Sequence, residues 1–135
     1  NTAAVRDEGI TISYVPLAYP AVADRHVVDA LARAAKKLGY NFAEGITHSK
    51  DAFYAEIEPD NMPNSDYVKS RWQAWERSNV MCSEMEAAAI FIVSSIRNCR
   101  ASAVMAYKKV NLQAAMETAI EGLRILIEED KKLGR

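Results

Sequence analysis

Two glutamates in the second half of the chain lie close enough together to act on one ligand. Glu84 and Glu86 directly precede the apolar run from Ala87 to Val93. Ionised carboxylates only accept hydrogen bonds, so this pair could hold the two neighbouring hydroxyls of a sugar. The same stretch also matches a capping box, in which the Ser83 hydroxyl and the Glu86 carboxylate bind free amides at a helix start. Both interpretations place the pair in the first turn of a helix.

The aromatic pair Phe53 and Tyr54 is the second candidate. The sequence predicts that this pair follows a strand and opens a long loop, and ligand sites favour the carboxyl ends of strands. Two aromatic rings at such a position could form one wall of a binding pocket. Packing within the core explains the same pattern equally well, so both interpretations stand.

Metal chemistry and nucleophilic chemistry have no support in the sequence. The two histidines, His26 and His48, lack neighbours at the spacing of a zinc site. The five glycines form no GxSxG elbow, no GxGxxG loop and no phosphate-binding Walker loop. We therefore expect no metal ion, and the pattern by itself names no catalytic residue.

The composition limits the classes of protein to which this chain can belong. The chain has 135 residues, of which 50% are hydrophobic, and a formal net charge of −1, which is typical of one globular domain. Without a basic surplus, nucleic acid is not an expected partner. The longest apolar run is far shorter than the roughly 20 residues that cross a bilayer, so no membrane contact is expected. Cys82 and Cys99 lie among apolar residues, which favours reduced, buried thiols and a cytoplasmic protein. The sequence does not begin with Met, which indicates that residues precede it.

Helical and extended patterns alternate along the chain and predict an α/β fold in the order β-α-β-α-α-β-α. Three segments have the apolar spacing of amphipathic helices, at 22–38, 66–78 and 111–131, and the second places Trp72 and Trp75 on one face. A further helix, from Ser83 to about residue 97, is apolar on every side and is expected to lie deep in the fold. Strands are predicted at 40–47 and 99–106, and a long loop is predicted at 55–65.

Four blocks of residues, in order along nearly the whole chain, resemble the nucleoside phosphorylase-I family and, within it, the uridine phosphorylases. The blocks are AVRDEG at 4–9, YPAVAD at 19–24, THSKDAFY at 47–54 and SEMEAAA at 83–89. The resemblance implies a three-layer α/β/α fold around a central mixed sheet. It also implies that residues 1–135 form a single domain that corresponds to the C-terminal half of the family's fold.

The activity implied by the resemblance is cleavage of a nucleoside by inorganic phosphate, giving a free base and ribose 1-phosphate in nucleoside catabolism and pyrimidine salvage. Phosphate is then a co-substrate, no cofactor is needed, and a homo-oligomer is expected. The family match assigns Glu86 to the ribose hydroxyls, with Met85 and Glu84 in the same ribose site. It assigns Phe53 to the nucleoside pocket, and Tyr54 and Glu56 stand beside it in the base pocket.

The chain also departs from the family pattern. Nothing matches the family's glycine-rich phosphate loop, its phosphate-binding arginine or the histidine supplied by a neighbouring subunit, and the lid-bearing connection after Ala106 is short. Where the family reads uracil with a glutamine and an arginine, this chain has Glu56, which accepts but does not donate. A purine nucleoside phosphorylase or nucleosidase of the same family, and a catalytically inert truncated subunit, are therefore the alternatives.

Overall fold

The computed structural model describes residues 1–107 and 111–134, and its centre is a four-stranded mixed sheet. The spatial order of the strands is β2-β1-β3-β4. Strand β3 runs parallel to both β1 and β4, whereas β2 runs antiparallel to β1. The strands are β1 Ala3–Asp7, β2 Ala21–Val22, β3 Ile46–Lys50 and β4 Cys82–Glu84.

In the described part of the chain, five α-helices surround this sheet: α1 Arg25–Lys37, α2 Phe53–Ile57, α3 Ser65–Arg77, α4 Ala87–Ile96 and α5 Leu112–Leu133. Helix α1 begins where the Asp24 carboxylate accepts from two backbone N–H groups, and a left-handed glycine, Gly39, follows its end with φ 74°. The amphipathic helices predicted at 22–38, 66–78 and 111–131 are thus confirmed with small shifts in their bounds.

The helices form layers on both faces of the sheet, which confirms the predicted α/β/α architecture. Helix α4 packs on one face, where the small side chains of Ala87 and Ala88 allow close approach and Phe91 and Ile92 are fully buried. Helix α3 lies on the opposite face, against His48. Helices α1 and α5 pack against each other at Gly122, since a Cβ atom there would lie only 2.9 Å from a Leu31 methyl carbon.

The strand predicted at 40–47 is wrong in its position, because strand β3 covers Ile46–Lys50. Three consecutive residues of β3, Thr47, His48 and Ser49, are buried although all are polar. A search for apolar patterns therefore favours the residues before the strand. The polar side chains are tolerated at depth because each hydrogen-bonds to another part of the fold.

The loop predicted at 55–65 is only partly correct. Helix α2 continues to Ile57, and Pro59–Asn61 form a 3₁₀ turn. Proline has no N–H and a fixed φ, so it is well accommodated in the first turn of a helix, where the N–H lacks a helical partner in any case. Phe53 and Tyr54 consequently open a helix and not a loop.

The start predicted for the next helix, at Ser83, is also wrong. Residues Cys82–Glu84 pair with β3, and α4 starts at Ala87. The expectation that this helix is buried on every side does not hold either, since Ile90 is 46% exposed. One face of α4 covers the sheet, and its other face meets solvent.

The strand predicted at 99–106 does not form. This segment has no regular secondary structure and is bonded at isolated points to residues that flank β1 and β2. The Asn1 amino group donates to the Ala103 carbonyl at 2.6 Å, and the Asp24 N–H donates to the Ala101 carbonyl at 2.7 Å. Cys99, expected to be buried, is exposed. The short connection that follows Ala106 includes residues 108–110, outside the described residues.

Helix α5 carries a row of large apolar side chains that the rest of the described chain leaves uncovered. All of them are more than half exposed, and they recur at helical spacing along one side: Leu112, Met116, Ile120, Leu123 and Ile127. The opposite side of α5 packs on α1, so both sides of this helix are apolar in part.

Candidate functional site

Strand β3 distributes its side chains to two faces of the sheet, as the two-residue period of a strand requires. Thr47 and Ser49 point to the α4 face and hydrogen-bond to Glu84. His48 and Lys50 point to the α3 face, where their partners are Asp7 and Ser83. Because β1, β3 and β4 are parallel, their carboxyl ends meet at one edge, and the candidate residues gather there.

Glu84 is held by four hydrogen-bond donors. Its Oε1 atom accepts from the Ser49 hydroxyl at 2.5 Å and from the Thr47 hydroxyl at 3.2 Å. Its Oε2 atom accepts from the backbone N–H groups of Glu86 at 2.6 Å and Ala87 at 2.5 Å. Glu84 therefore satisfies free amides at the start of α4, in place of the capping box that the sequence suggests.

The Glu86 carboxylate accepts fewer hydrogen bonds than that of Glu84. The Glu86 side chain is exposed, and its Oε2 atom accepts from the N–H of the adjacent Met85 at 3.1 Å. Met85 is itself 37% exposed beside it. Of the two glutamates, Glu86 is thus the one whose carboxylate retains acceptor capacity toward solvent, and Glu84 fixes the backbone that carries it.

Lys50 connects the base-pocket candidates to the segment that carries the glutamates. Its ammonium group donates to the Ser83 hydroxyl at 2.6 Å and forms an ion pair with Glu56. The Ser83 hydroxyl in turn donates to the same Glu56 oxygen at 2.7 Å. The Lys50 nitrogen also lies 6.0 Å from the centre of the Phe53 ring, within the range of a cation–π contact.

A cavity of about 210 Å³ opens beside this ion pair, between the sheet, α2 and α3. Among its lining residues are the two members of the ion pair and four residues of the neighbouring elements: His48, Lys50, Glu56, Tyr67, Arg71 and Trp72. Phe53 and Tyr54 do not line it. Their rings contact each other edge to face at 5.6 Å and are more than half exposed. Of the three predicted base-pocket residues, the cavity therefore includes Glu56.

A buried histidine closes the inner end of this face. His48 is 5% exposed, its Nε2 atom lies 2.8 Å from the Asp7 carboxylate, and the ring of Trp72 is 5.6 Å away. Asp7 also forms an ion pair with Arg71, which balances its charge. The indoles of Trp72 and Trp75 both contact His48, which confirms that they share one face of α3.

The rim of the site is held by the segment after β1. The N–H of Gly9 donates to the Asp51 carboxylate at 2.9 Å and so joins the ends of β1 and β3. Burial alone would raise the pKa of Glu8, but hydrogen bonds from the Thr11 hydroxyl and from the N–H groups of Thr11 and Ile10 favour its ionised form and lower that pKa. This carboxylate therefore orders the turn beside the site.

Two kinds of feature are absent from the part of the chain that the structure describes. Over residues 1–107 and 111–134, no three His, Cys, Asp or Glu side chains gather where they could hold a metal ion. Within the same ranges, every helix is too short or too polar to span a lipid bilayer.

The sequence patterns do not single out three residues of the site: Lys50, Asp7 and Arg71. Lys50 stands in the THSKDAFY block, directly before the aromatic candidates, but a lysine at a strand end is usually solvated. Asp7 and Arg71 are far apart in the sequence, and the fold alone brings them together.

Comparison with known proteins assigns the sequence of this chain to a family. The model for the Phosphorylase superfamily matches residues 1–126. A uridine phosphorylase of Treponema pallidum is 34% identical over 96% of this chain and 55% of its own length, and one of Escherichia coli is 30% identical over 98% and 56%. A guanosine phosphorylase of Halorubrum lacusprofundi is 32% identical over 76% of this chain and 38% of its own length.

Two facts of length accompany these matches. The chain spans about half the length of the curated relatives it matches. The stretch aligned with the Treponema pallidum protein is 143 residues long, more than the 135 residues of this chain, so that relative carries inserted residues within the matched region. The extent of the family match over the sheet and its helices shows that this chain belongs to the phosphorylase superfamily.

Proposed function

We propose that this chain forms part of a pentosyltransferase of the uridine phosphorylase type, which cleaves a nucleoside with inorganic phosphate to a free base and ribose 1-phosphate. The observation that carries the proposal is the state of the two glutamates. Glu84 is fully occupied and caps α4, whereas Glu86 presents a carboxylate to solvent at the carboxyl edge of the sheet. Such an acceptor fits the two hydroxyls of a ribose.

The reaction requires the enzyme to position the nucleoside and phosphate and to stabilise the positive charge that develops on the sugar. As the glycosidic bond breaks, the sugar gains positive charge while phosphate approaches its anomeric carbon, so a nearby carboxylate is favourable and no covalent nucleophile is required. Glu86 would hold the ribose hydroxyls, with Met85 against the sugar. Phosphate is the co-substrate, and the reaction needs no further cofactor. The groups that bind phosphate would come from the part of the relatives' fold that this chain does not span.

The proposal extends to the setting of the protein. We assign it to cytoplasmic nucleoside catabolism and pyrimidine salvage, and to a homo-oligomer. The exposed apolar row of α5 supports association, because uncovered apolar patches of this kind mark interaction surfaces. Sedimentation over a range of concentrations tests the assembly.

The decisive experiment follows uridine in the presence and absence of phosphate, with the mass of the intact polypeptide determined on the same sample. Release of uracil together with ribose 1-phosphate, dependent on phosphate, supports the proposal. Release that is independent of phosphate identifies a nucleosidase. Absence of base release from any nucleoside leaves the inert-subunit alternative.

A purine nucleoside is the second candidate substrate. The match to a guanosine phosphorylase over 76% of the chain favours it. Parallel assays with guanosine and inosine separate the two, since the ratio of kcat/KM values for uridine and guanosine gives the preferred base.

A further inference from the structure

The apolar row of α5 has the spacing of a contact between two helices. Its members are separated by four, four, three and four residues: Leu112, Met116, Ile120, Leu123 and Ile127. The steps of four, three and four from Met116 onward are those of the core positions of a coiled coil, in which each side chain fits between side chains of the facing helix. The row is therefore suited to packing along a second helix.

The row lies on the side of α5 that faces away from α1. Glu121 and Gly122 contact Lys37 and Leu31 of α1, whereas all five members of the row are more than half exposed. At 1.5 Å per residue the row runs about 22 Å along the helix. With roughly 100 Å² exposed on each of its side chains, two such rows face to face would remove on the order of 1,000 Å² from water, the lower limit of a specific interface.

Glu117 and Arg124 flank the middle of the row on one side. They stand three residues before and four residues after Ile120, so both lie along the same edge of the row. The Arg124 side chain is 70% exposed and contacts the Glu121 carboxylate at 3.4 Å, while Lys37 holds that carboxylate at 2.6 Å. Arg124 therefore retains N–H donors for a further partner.

The Glu117 carboxylate is available to a cation. Its two oxygens accept from the Tyr40 hydroxyl and, at 2.8 Å, from the Gln113 amide. The hydrogen bond from Tyr40, above all, lowers the pKa of Glu117 below its ordinary value of 4.5, so the group is ionised at neutral pH. An ionised carboxylate oxygen accepts more than one hydrogen bond. Glu117 can thus pair with a charge on a second molecule without giving up these contacts.

A two-fold axis pairs these charges. When the axis crosses α5 at right angles midway between residues 117 and 124, the two helices run antiparallel, and Glu117 of each copy stands opposite Arg124 of the other. That midpoint lies beside Ile120, near the centre of the row, so one arrangement aligns the apolar rows and forms the charge pair twice. A parallel arrangement would instead bring the charged edge against the opposite edge of the row, where Ala119 carries no charge.

We propose that α5 is a docking surface for a second copy of this chain, which binds through its own α5 in antiparallel orientation. This inference deepens the homo-oligomer of the proposed function and rests on that part of it, whereas the reaction has no part in the argument. Because the area removed from water is small, we expect a dissociation constant in the micromolar range.

The test exchanges the two charges. Arg124→Glu places two glutamates opposite each other, and Glu117→Arg places two arginines there, so each variant alone should dimerise at least about 10-fold more weakly than wild type. An equal mixture of the two variants restores opposite charges, and we expect it to form a heterodimer as strongly as wild type forms its dimer. Sedimentation velocity over roughly 1–500 μM protein measures each dissociation constant.

A second pair of variants tests the apolar row. Leu123→Glu introduces a charge into the row and should abolish the dimer. Ile90→Glu is the matched control, because Ile90 is an apolar side chain on α4 that is about as exposed, and this variant should dimerise as wild type does. Thermal unfolding of every variant checks the fold, above all for Glu117→Arg, which loses the bond from Tyr40. Arg124→Glu and Leu123→Glu change exposed side chains and keep the test decisive.

Four outcomes overturn the inference. A wild type that is monomeric at every concentration would leave the row to be covered by the half of the relatives' fold that this chain does not span. The others are a dimer that persists in Leu123→Glu, equal losses in Leu123→Glu and Ile90→Glu, and a mixture of the charge variants that stays monomeric. Failure of the proposed reaction gives a different result, since sedimentation needs no nucleoside: a dimer of the expected behaviour without base release removes the reaction and keeps the surface, and base release by a monomer does the reverse.

Discussion

The Ser49 hydroxyl donates to the Glu84 carboxylate across two neighbouring strands, with 2.5 Å between Oγ and Oε1. The same hydroxyl oxygen accepts from the backbone N–H of Ala88, at 2.9 Å, in the first turn of α4. One small side chain in the middle of the sheet thus fixes both the glutamate and the helix that follows it.

Ser49→Ala tests this arrangement. The substitution removes a donor from Glu84 and leaves the buried Ala88 N–H without its acceptor, which should lower the free energy of unfolding by about 1–3 kcal/mol. Denaturant unfolding measures the change. Ser70→Ala is the control, since Ser70 is exposed on α3 and bonds within its own helix, so it should change stability by less than about 0.5 kcal/mol. Equal effects at the two serines would contradict the structural role of Ser49.

Glu86→Gln should separate binding from stability. Its side chain is exposed, so the unfolding free energy should stay close to that of wild type. Loss of a charged hydrogen bond used in the transition state should lower kcat/KM for the nucleoside by about 30- to 1,000-fold, or roughly 2–4 kcal/mol. Steady-state kinetics of the active enzyme and thermal unfolding give the two readouts, and an unchanged kcat/KM would show that Glu86 does not contact the sugar.

Glu84→Gln should affect both readouts. Two hydroxyls and two backbone N–H groups donate to this carboxylate. In glutamine an NH₂ group replaces one of the two accepting oxygens, so two of these donors would lose their acceptor. We expect lower stability than for Glu86→Gln, together with a loss of activity that reflects the displaced start of α4. Stability equal to that of wild type would mean that Glu84 does not act as the cap.

Binding of the base should slow amide hydrogen exchange in the segment from 53 to 65. Its backbone bonds are local, as in those from Glu58 N–H to Tyr54 and from Met62 N–H to Pro59, and it does not join the sheet. Without ligand its amides should exchange rapidly, and binding of uracil beside Glu56 should slow them. Hydrogen exchange followed by mass spectrometry measures this, and full protection in the free protein would contradict the expectation.

Acid should weaken the contact between α1 and α5. The Lys37 amine donates to Glu121 at 2.6 Å, and this hydrogen bond, above all, lowers the pKa of Glu121 below its ordinary value of 4.5. A lowered pKa means that the stabilisation is complete above pH 4.5 and is lost as the pH falls through the native-state pKa. Glu121→Gln should therefore lower the melting temperature at pH 7 and lose that difference in stronger acid. A difference that persists unchanged in acid would contradict this origin.

Periodic segments of the fold were predictable from the sequence, and the polar centre was not. Helices α1, α3 and α5 repeat apolar residues every three or four positions, so their places along the chain follow from the pattern, although the apolar row of α5 is exposed. Strand β3 does not follow such a rule, because Thr47, His48 and Ser49 are buried through hydrogen bonds to side chains remote in sequence. Only the fold places Asp7 and Glu84 beside them.

Within the candidate site, chemistry was easier to predict than contacts. Glu84, Met85 and Glu86 stood out as a group, but the sequence gives no sign that one glutamate is occupied and the other open. Glu56 looked like an isolated carboxylate because its partner, Lys50, lies six residues earlier on a strand. The pairing depends on the turn of the chain through Asp51 and Ala52, which no periodicity encodes.

The alternation of strand β3 places a limit on how this segment can change in evolution. Ser49 hydrogen-bonds to Glu84 on one face of the sheet, and the next residue, Lys50, forms an ion pair with Glu56 on the other face. A substitution at either position disturbs one face only. Gain or loss of a single residue between 46 and 50 would instead exchange the two faces and break both sets of contacts at once. The length of this segment should therefore be invariant among descendants of the gene, even where its side chains diverge.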